Sequence, residues 1–288
     1  MLGAGAAGTA IARAARAAGW PIEAVVSRSA ARAAERAALI GAGAPLTHAE
    51  LLARGAATPV LLLLGVPDRA IAAAAQSLAG RAWPPGCVAL HLSGSVEVDV
   101  LAPLRARGVA VGGCHPLASF VDAAAGGAGA PGTVAAVEGD APAVAVARQL
   151  AAALGWQPFA LQPGRRAAWH AAASHACNHL VALLDESLDL MQAAGLTRDQ
   201  ARAALLPLQR GTLDNLATRN PAAALTGPIA RGDVEVVRRH LSALAGMPPD
   251  VSAAYRALAR RALELARTRG LPAATADELA ALLSEETP

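Results

Sequence analysis

The chain has 288 residues, enough for two domains, and is 54% hydrophobic but only 2% aromatic, so its core must be built mainly from Ala, Val and Leu. All 25 Lys+Arg residues are Arg, which excludes a Schiff-base lysine, a lysine general acid and a Walker lysine. The net charge of +3 with scattered arginines gives no stripe for nucleic acid, and no apolar run reaches the length of a membrane span.

The chain opens with Met1-Leu2-Gly3-Ala4-Gly5-Ala6-Ala7-Gly8, where Gly3, Gly5 and Gly8 fit G-x-G-x-x-G, and a helical pattern follows over 9–18. Such a turn brings bare backbone N–H groups against a pyrophosphate at a helix start. Gly3, Gly5, Ala6, Ala7 and Gly8 are therefore expected to hold a dinucleotide. Only Met1 and Leu2 precede the first glycine, where a buried parallel strand normally supplies about 4–8 apolar residues. Either the first strand is a stub or translation begins upstream, and the second reading is favoured.

Residues 22–26 read as the next strand. An NAD-binding unit places Asp or Glu at its carboxyl end to hold the ribose 2′-OH. Here Ser27-Arg28-Ser29 stands there, and Glu23 sits at the wrong end. Two hydroxyls flanking a forked cation suit a 2′-phosphate, so the expected cofactor is NADP (NADPH). Ser29 equally suits the N-cap of a helix over 30–40.

The apolar run 59–66 reads as a central strand covered on both faces. It ends in Gly65-Val66-Pro67-Asp68, a turn into a helix from 69, with Val66 and Pro67 beside the adenosine and ribose. Strands over 87–92 and 109–113 close with Ser93 and with Cys114-His115-Pro116. Ligands sit outside the carboxyl ends of such strands, which puts Ser93 and His115 at the nicotinamide. A Gly/Ala/Pro loop at 126–132, a strand at 133–137, a helix at 141–154 and a strand at 156–161 follow.

Gln162-Pro163-Gly164-Arg165 then breaks the pattern. The expected fold is α/β: residues 1–162 form an NADP-binding Rossmann-like domain, a parallel sheet with helices on both faces. Residues 163–288 form an all-α domain for substrate and dimerisation. In its first helix, 166–194, His170, Ser174 and Asn178 are spaced i, i+4, i+8 and make one polar stripe. A second helix, 198–217, is broken or kinked at Pro207. An irregular loop over 225–233 precedes a helix capped by Asp233, and two helices, 249–269 and 276–283, finish the chain. Cys87, Cys114 and Cys177 have no C-x-x-C spacing, and of His175, Cys177 and His179 only the histidines share a helix face, so no metal is expected.

The glycine turn, Val66-Pro67-Asp68, His91-Leu92-Ser93-Gly94, His115-Pro116-Leu117, Asn178-His179-Leu180 and the segment Thr226-Gly227-Pro228 through Arg231-Gly232-Asp233 to His240-Leu241 resemble one bacterial family. It is the two-domain Rossmann-like oxidoreductase family whose C-terminal half is domain of unknown function 2520. Its layout is similar to that of pyrroline-5-carboxylate and ketopantoate reductases and of 6-phosphogluconate and 3-hydroxyacid dehydrogenases. The resemblance implies an NADP-binding domain, a helical domain completed by dimerisation, and hydride transfer in the cleft between them. In the hydroxyacid dehydrogenases the first long helix of the second domain carries a catalytic Lys and, one turn later, an Asn. Asn178 matches that Asn, whereas Ser174 stands where the Lys would be, so that mechanism is in doubt and the Lys-free pyrroline-5-carboxylate reductases are the better guide.

The expected function is NADP(H)-dependent hydride transfer to or from a small C=N or C=O substrate in a cytoplasmic bacterial homodimer. Ser93, His115, Ser174 and Asn178 would surround the reacting carbon. His115 would be the proton donor, because an unperturbed imidazole titrates near neutrality. Thr226, His170 and Arg231 would contact the substrate, Arg231 by clamping a carboxylate. Two alternatives stand beside this reading: a dinucleotide-binding regulatory or scaffold protein without turnover, and hydride exchange between NADP and a deazaflavin.

Overall fold

The computed structural model describes residues 1–54, 58–121 and 128–284. They fall into two compact units, Met1–Asn178 and His179–Pro288. In the first unit α1 (Ala6–Ala17) leads to β1 (Ala24–Ser27), α2 (Ala30–Ile40), β2 (Ala44–Thr47), α3 (His48–Ala53), β3 (Leu61–Leu64), α4 (Asp68–Leu78) and β4 (Val88–His91). A short α5 (Ala102–Arg105), β5 (Ala110–Pro116), β6 (Val134–Gly139), α6 (Ala141–Ala153), β7 (Gln157–Ala160) and the start of α7 (Arg166–Ala193) complete it.

Leu2 does the work of a whole strand. It bridges in parallel to Val26 of β1 and to Leu64 of β3, its N–H bonding to the Leu63 carbonyl at 2.8 Å. Strands therefore follow one another as β2, β1, Leu2, β3, β4, β5, all parallel. That is the order of a dinucleotide-binding sheet, with Leu2 in the place of its first strand. The parallel sheet continues past β5 with one reversal: β6 runs antiparallel to β5, pairing His115 with Ala136, and β7 is parallel to β6. A parallel return needs a crossover, usually a helix, and the described residues between β5 and β6 form none. Of the loop expected over 126–132, residues 126 and 127 lie outside the described residues.

Side-chain alternation in β3 explains how four consecutive leucines are buried or, at Leu61, partly buried. Leu62 and Leu64 pack with Ile71 and Leu78 of α4 and with Leu101. Leu61 and Leu63 turn to the other face, against Ile11 of α1 and Leu150 of α6. β2 had no periodic signal in the sequence. It is an edge strand, where Pro45 loses no needed hydrogen bond. The helix after it, α3, was not read from the sequence, and it begins with a capping box closed by Thr47 and Glu50.

In the second unit the end of α7 is followed by α8 (Arg198–Thr218), α9 (Pro221–Ala224), α10 (Pro228–Arg231), α11 (Val234–Leu244), α12 (Pro249–Thr268) and α13 (Ala273–Ser284). Val237, Leu241 and Leu244 of α11 interlock with Leu263 of α12 and with Leu279 and Leu283 of α13. Pro207 lies inside α8 and does not end it. Asp233 stands at the N-cap of α11, but its side chain makes no capping bond and instead pairs with Arg231 at 3.2 Å, which corrects the expected cap. Val181 of α7 and Leu208 and Leu213 of α8 remain exposed. Among the described residues no helix is long and apolar enough to cross a membrane. The turn at 162–165 precedes α7 as expected, yet the first turns of α7 are bound into the first unit, so the two units part at 178 and 179.

Candidate functional site

A cavity of about 690 Å³ opens at the carboxyl ends of β1, β2 and β3, walled by the glycine turn, the start of α1 and the inner face of α4. Its three glycines do different jobs. Gly3 turns at φ 74°, and a Cβ there would lie 2.5 Å from Val66 Cγ1 and 2.8 Å from Val66 N. At Gly8 a Cβ would lie 2.7 Å from the Gly3 carbonyl oxygen, so α1 packs directly on the turn. A Cβ at Gly5 would meet nothing within 4 Å, and there the backbone borders open space. Gly5 is also the N-cap of α1 and offers no capping side chain, leaving the first N–H groups of that helix without intrahelical partners.

The other wall is cationic. Arg28, Arg32 and Arg69 line the cavity together with His48, whose Nε2 lies 2.8 Å from the Ser77 hydroxyl, and among the described residues no carboxylate lines it. Glycine cradle, helix N–H groups and guanidiniums with no carboxylate suit a phosphorylated nucleotide. The residues present therefore fit an NADP-type group. Ser27, Arg28, Gly65, Val66 and Pro67 line this cavity along with Gly3, Gly5, Ala6, Ala7 and Gly8. Ser29 does not; its hydroxyl accepts from the Arg32 N–H as the N-cap of α2. Ser93 does not line the cavity either.

A second group of polar side chains gathers at the carboxyl ends of β4 and β5. The Trp169 indole N–H donates to His115 Nδ1 at 2.9 Å. His170 meets His115 edge-on, with ring centroids 5.9 Å apart. Gly94 makes this possible, since a Cβ there would lie 2.6 Å from His115 Nε2 and 2.7 Å from His170 Cδ2. Burial, aided by Arg166 and His170 and opposed by Asp68, pushes His115 down to about 4. His115 is thus a neutral imidazole at pH 7, below the near-neutral range of an unperturbed ring.

Beneath it lies Arg166, fully buried, which pairs with Glu138 and donates to the Ser93 carbonyl. Gly113 leaves the room that the guanidinium occupies. His91 is fully buried beside them and is pushed down to about 3, chiefly by burial. The Ser93 hydroxyl accepts the N–H groups of Ser95 and Val96 at 3.2 and 3.1 Å, closing its own turn, while Ser95 donates to Asp68 at 2.7 Å.

The structure thus brings His115 and His170 together and gives Ser93 a turn-building place. Further along α7, Ser174 is half-buried and Asn178 exposed. Thr226 and Arg231 belong to the second unit, where Arg231 is paired with Asp233. Sequence reasoning missed Arg32, Arg69, His48, Trp169 and the Arg166–Glu138 pair. Arg32, in the first turn of α2, lies close in sequence to Arg28; nothing marked the others. Among the described residues no group of three or more His, Cys, Asp or Glu is placed to hold a metal.

Residues 1–119 match the family model of the Rossmann-like domain, and residues 133–262 match that of Domain of unknown function 2520. No curated protein matches. Protein TM1727 from Thermotoga maritima has a similar structure: TM-score 0.71 at 23% identity, over 93% of this chain and 98% of that one. A 1-pyrroline-5-carboxylate reductase from Streptococcus pyogenes gives 0.61 at 16% identity, over 91% and 96%. A reductive aminase from Aspergillus terreus, solved with NADPH and ethyl-5-oxohexanoate, gives 0.60 at 23% identity, over 98% and 90%.

Proposed function

We propose, for a chain that joins a Rossmann-like domain to a domain of unknown function 2520, an NADP(H)-dependent oxidoreductase passing hydride to or from a small C=N or C=O substrate. The observation that carries this reading is the cavity beside the glycine turn, with three guanidiniums and no carboxylate. Gly3, Gly5 and Gly8 would let the backbone approach the pyrophosphate, Arg28 and Arg32 would hold the 2′-phosphate, and Val66 and Pro67 would pack beside the adenosine. When bound, the cofactor supplies the hydride. The Gly94, His115 and His170 cluster would then line the reacting end.

The chemistry of that cluster favours C=N over C=O. Hydride addition to a carbonyl leaves an alkoxide that must gain a proton, and His115 is held neutral. An iminium becomes a neutral amine on hydride addition and needs only to be oriented and kept from water. The likeness in fold to a pyrroline-5-carboxylate reductase and a reductive aminase supports the same choice.

A second reading, nucleotide binding without turnover, is favoured by one observation: the Ser93 hydroxyl is taken up by its own turn. A panel of cyclic imines and keto acids, followed at the NADPH absorbance, separates the two. Turnover is expected with at least one imine and is expected to exceed that with its keto counterpart at least tenfold. Binding of NADPH with no oxidation across the panel would leave the non-catalytic reading.

A further inference from the structure

We propose that Trp169 is a positioning residue for His115: its indole N–H, donated to Nδ1 at 2.9 Å, locks the imidazole in the tautomer that carries its proton on Nε2. His115 then presents a fixed hydrogen-bond donor to whatever lies at the ends of β4 and β5. The inference rests on the reading of that place as the reacting end.

Three observations carry it. First, an indole N–H only donates, so the nitrogen facing it must hold a lone pair, and the single proton of a neutral imidazole is left to the other nitrogen. Second, the indole itself is clamped. Its ring stacks on Phe159 of β7 with centroids 5.7 Å apart and planes 6° from parallel, so the N–H is aimed by a rigid ring rather than by a free rotor. Third, the charges around His115 act in the same direction. Arg166 and His170 on α7 oppose its protonation, the His91 ring on β4 is itself held neutral, and the Glu138 carboxylate on β6 is paired with Arg166. Among the described residues only Asp68, at the start of α4, favours the charged form, and it lies farther down the order of causes than burial, Arg166 and His170.

One turn of α7 thus delivers Arg166 beneath the site, Trp169 to Nδ1 and His170 to the ring edge. A protonated His115 would point an N–H at the indole N–H, two donors facing each other. The role of Trp169 is therefore electrostatic as well as steric, and replacing the indole while keeping an aromatic ring separates the two contributions. Trp169→Phe keeps a ring to stack on Phe159 and removes the donor.

The test is the histidine ring 15N spectrum of the full-length protein without added nucleotide, with His115 identified by the signal missing in His115→Gln. Wild type is expected to show an unprotonated Nδ1 and a protonated Nε2 on His115, unchanged across the range of about pH 5 to 8 in which a free imidazole titrates. In Trp169→Phe the midpoint of His115 is expected to rise from about 4 by about one pH unit, a tenfold stronger hold on the proton. A proton on Nδ1 in the wild type would overturn the proposal, as would a folded Trp169→Phe with unchanged tautomer and midpoint. If that variant does not fold, the wild-type tautomer decides by itself. Because no nucleotide enters the measurement, a failure here is distinct from a failure of the protein to bind NADPH.

Discussion

Replacing Arg166 with methionine is expected to lower folding stability by about 3–5 kcal/mol, read as an earlier midpoint in urea or heat. Arg166 is fully buried and its partner Glu138 is 6% exposed. Removing one charge of such a pair strands the other where water cannot reach it, and that uncompensated ion accounts for most of the loss. It also frees the Ser93 carbonyl, to which the guanidinium donates, and opens the space kept by Gly113. For a domain whose whole stability is about 5–15 kcal/mol, the variant sits near the limit of folding. The double variant Glu138→Gln with Arg166→Met removes both charges and is expected to recover most of the difference. A single Arg166→Met variant within about 1 kcal/mol of wild type would show that Glu138 finds another partner or water.

The second large effect is at the glycine turn, where neighbouring positions are expected to fail in different ways. Gly3→Val puts a β-branched residue at φ 74° with its Cβ 2.5 Å from Val66 Cγ1. Left-handed backbone costs such a residue about 1–2 kcal/mol, and overpacking adds about 1–3 kcal/mol. Stability and nucleotide binding should therefore fall together. Gly5→Val has φ −70° and no atom within 4 Å of the new Cβ, so the fold should keep its melting point to within a few degrees. Its side chain enters the cavity, and NADPH affinity should fall at least tenfold. Thermal melts and calorimetric titrations of both variants check this. A Gly5→Val protein that binds NADPH as wild type does would mean that the pyrophosphate lies elsewhere.

These two sites also mark what could and could not be read from the residues alone. The glycine turn was legible because the need for it is local: backbone conformation and close approach leave only glycine at fixed spacings. The apolar run before Gly65, the helix at 30–40 and the arginine after β1 were legible for the same reason, since each element announces itself within a few residues. The place of Leu2 in the sheet was legible only as one of two readings of the short run before Gly3. Leu2 earns its place in the sheet through bridges to residues 24 and 62 positions away, and one residue has no periodicity. The antiparallel turn of β6 left no mark, because strand direction is set by the connection rather than by the strand. The Arg166–Glu138 pair and the Trp169–His115 bond join positions 28 and 54 residues apart, and an Arg beside another Arg at a helix start reads as a solvated end. His115 was placed correctly at a strand terminus, but its proton affinity is set by neighbours that only the fold assembles.

The most direct measurement is a calorimetric titration of the full-length protein with NADPH and with NADH. NADPH is expected to bind more tightly by roughly 10- to 100-fold, the worth of about 1.5–3 kcal/mol for charge-assisted hydrogen bonds to one phosphate, and the Arg28→Ala, Arg32→Ala double variant is expected to erase the difference. Equal affinity for the two nucleotides in the wild type, or no binding of either, would contradict the cavity's assignment and the hydride chemistry built on it.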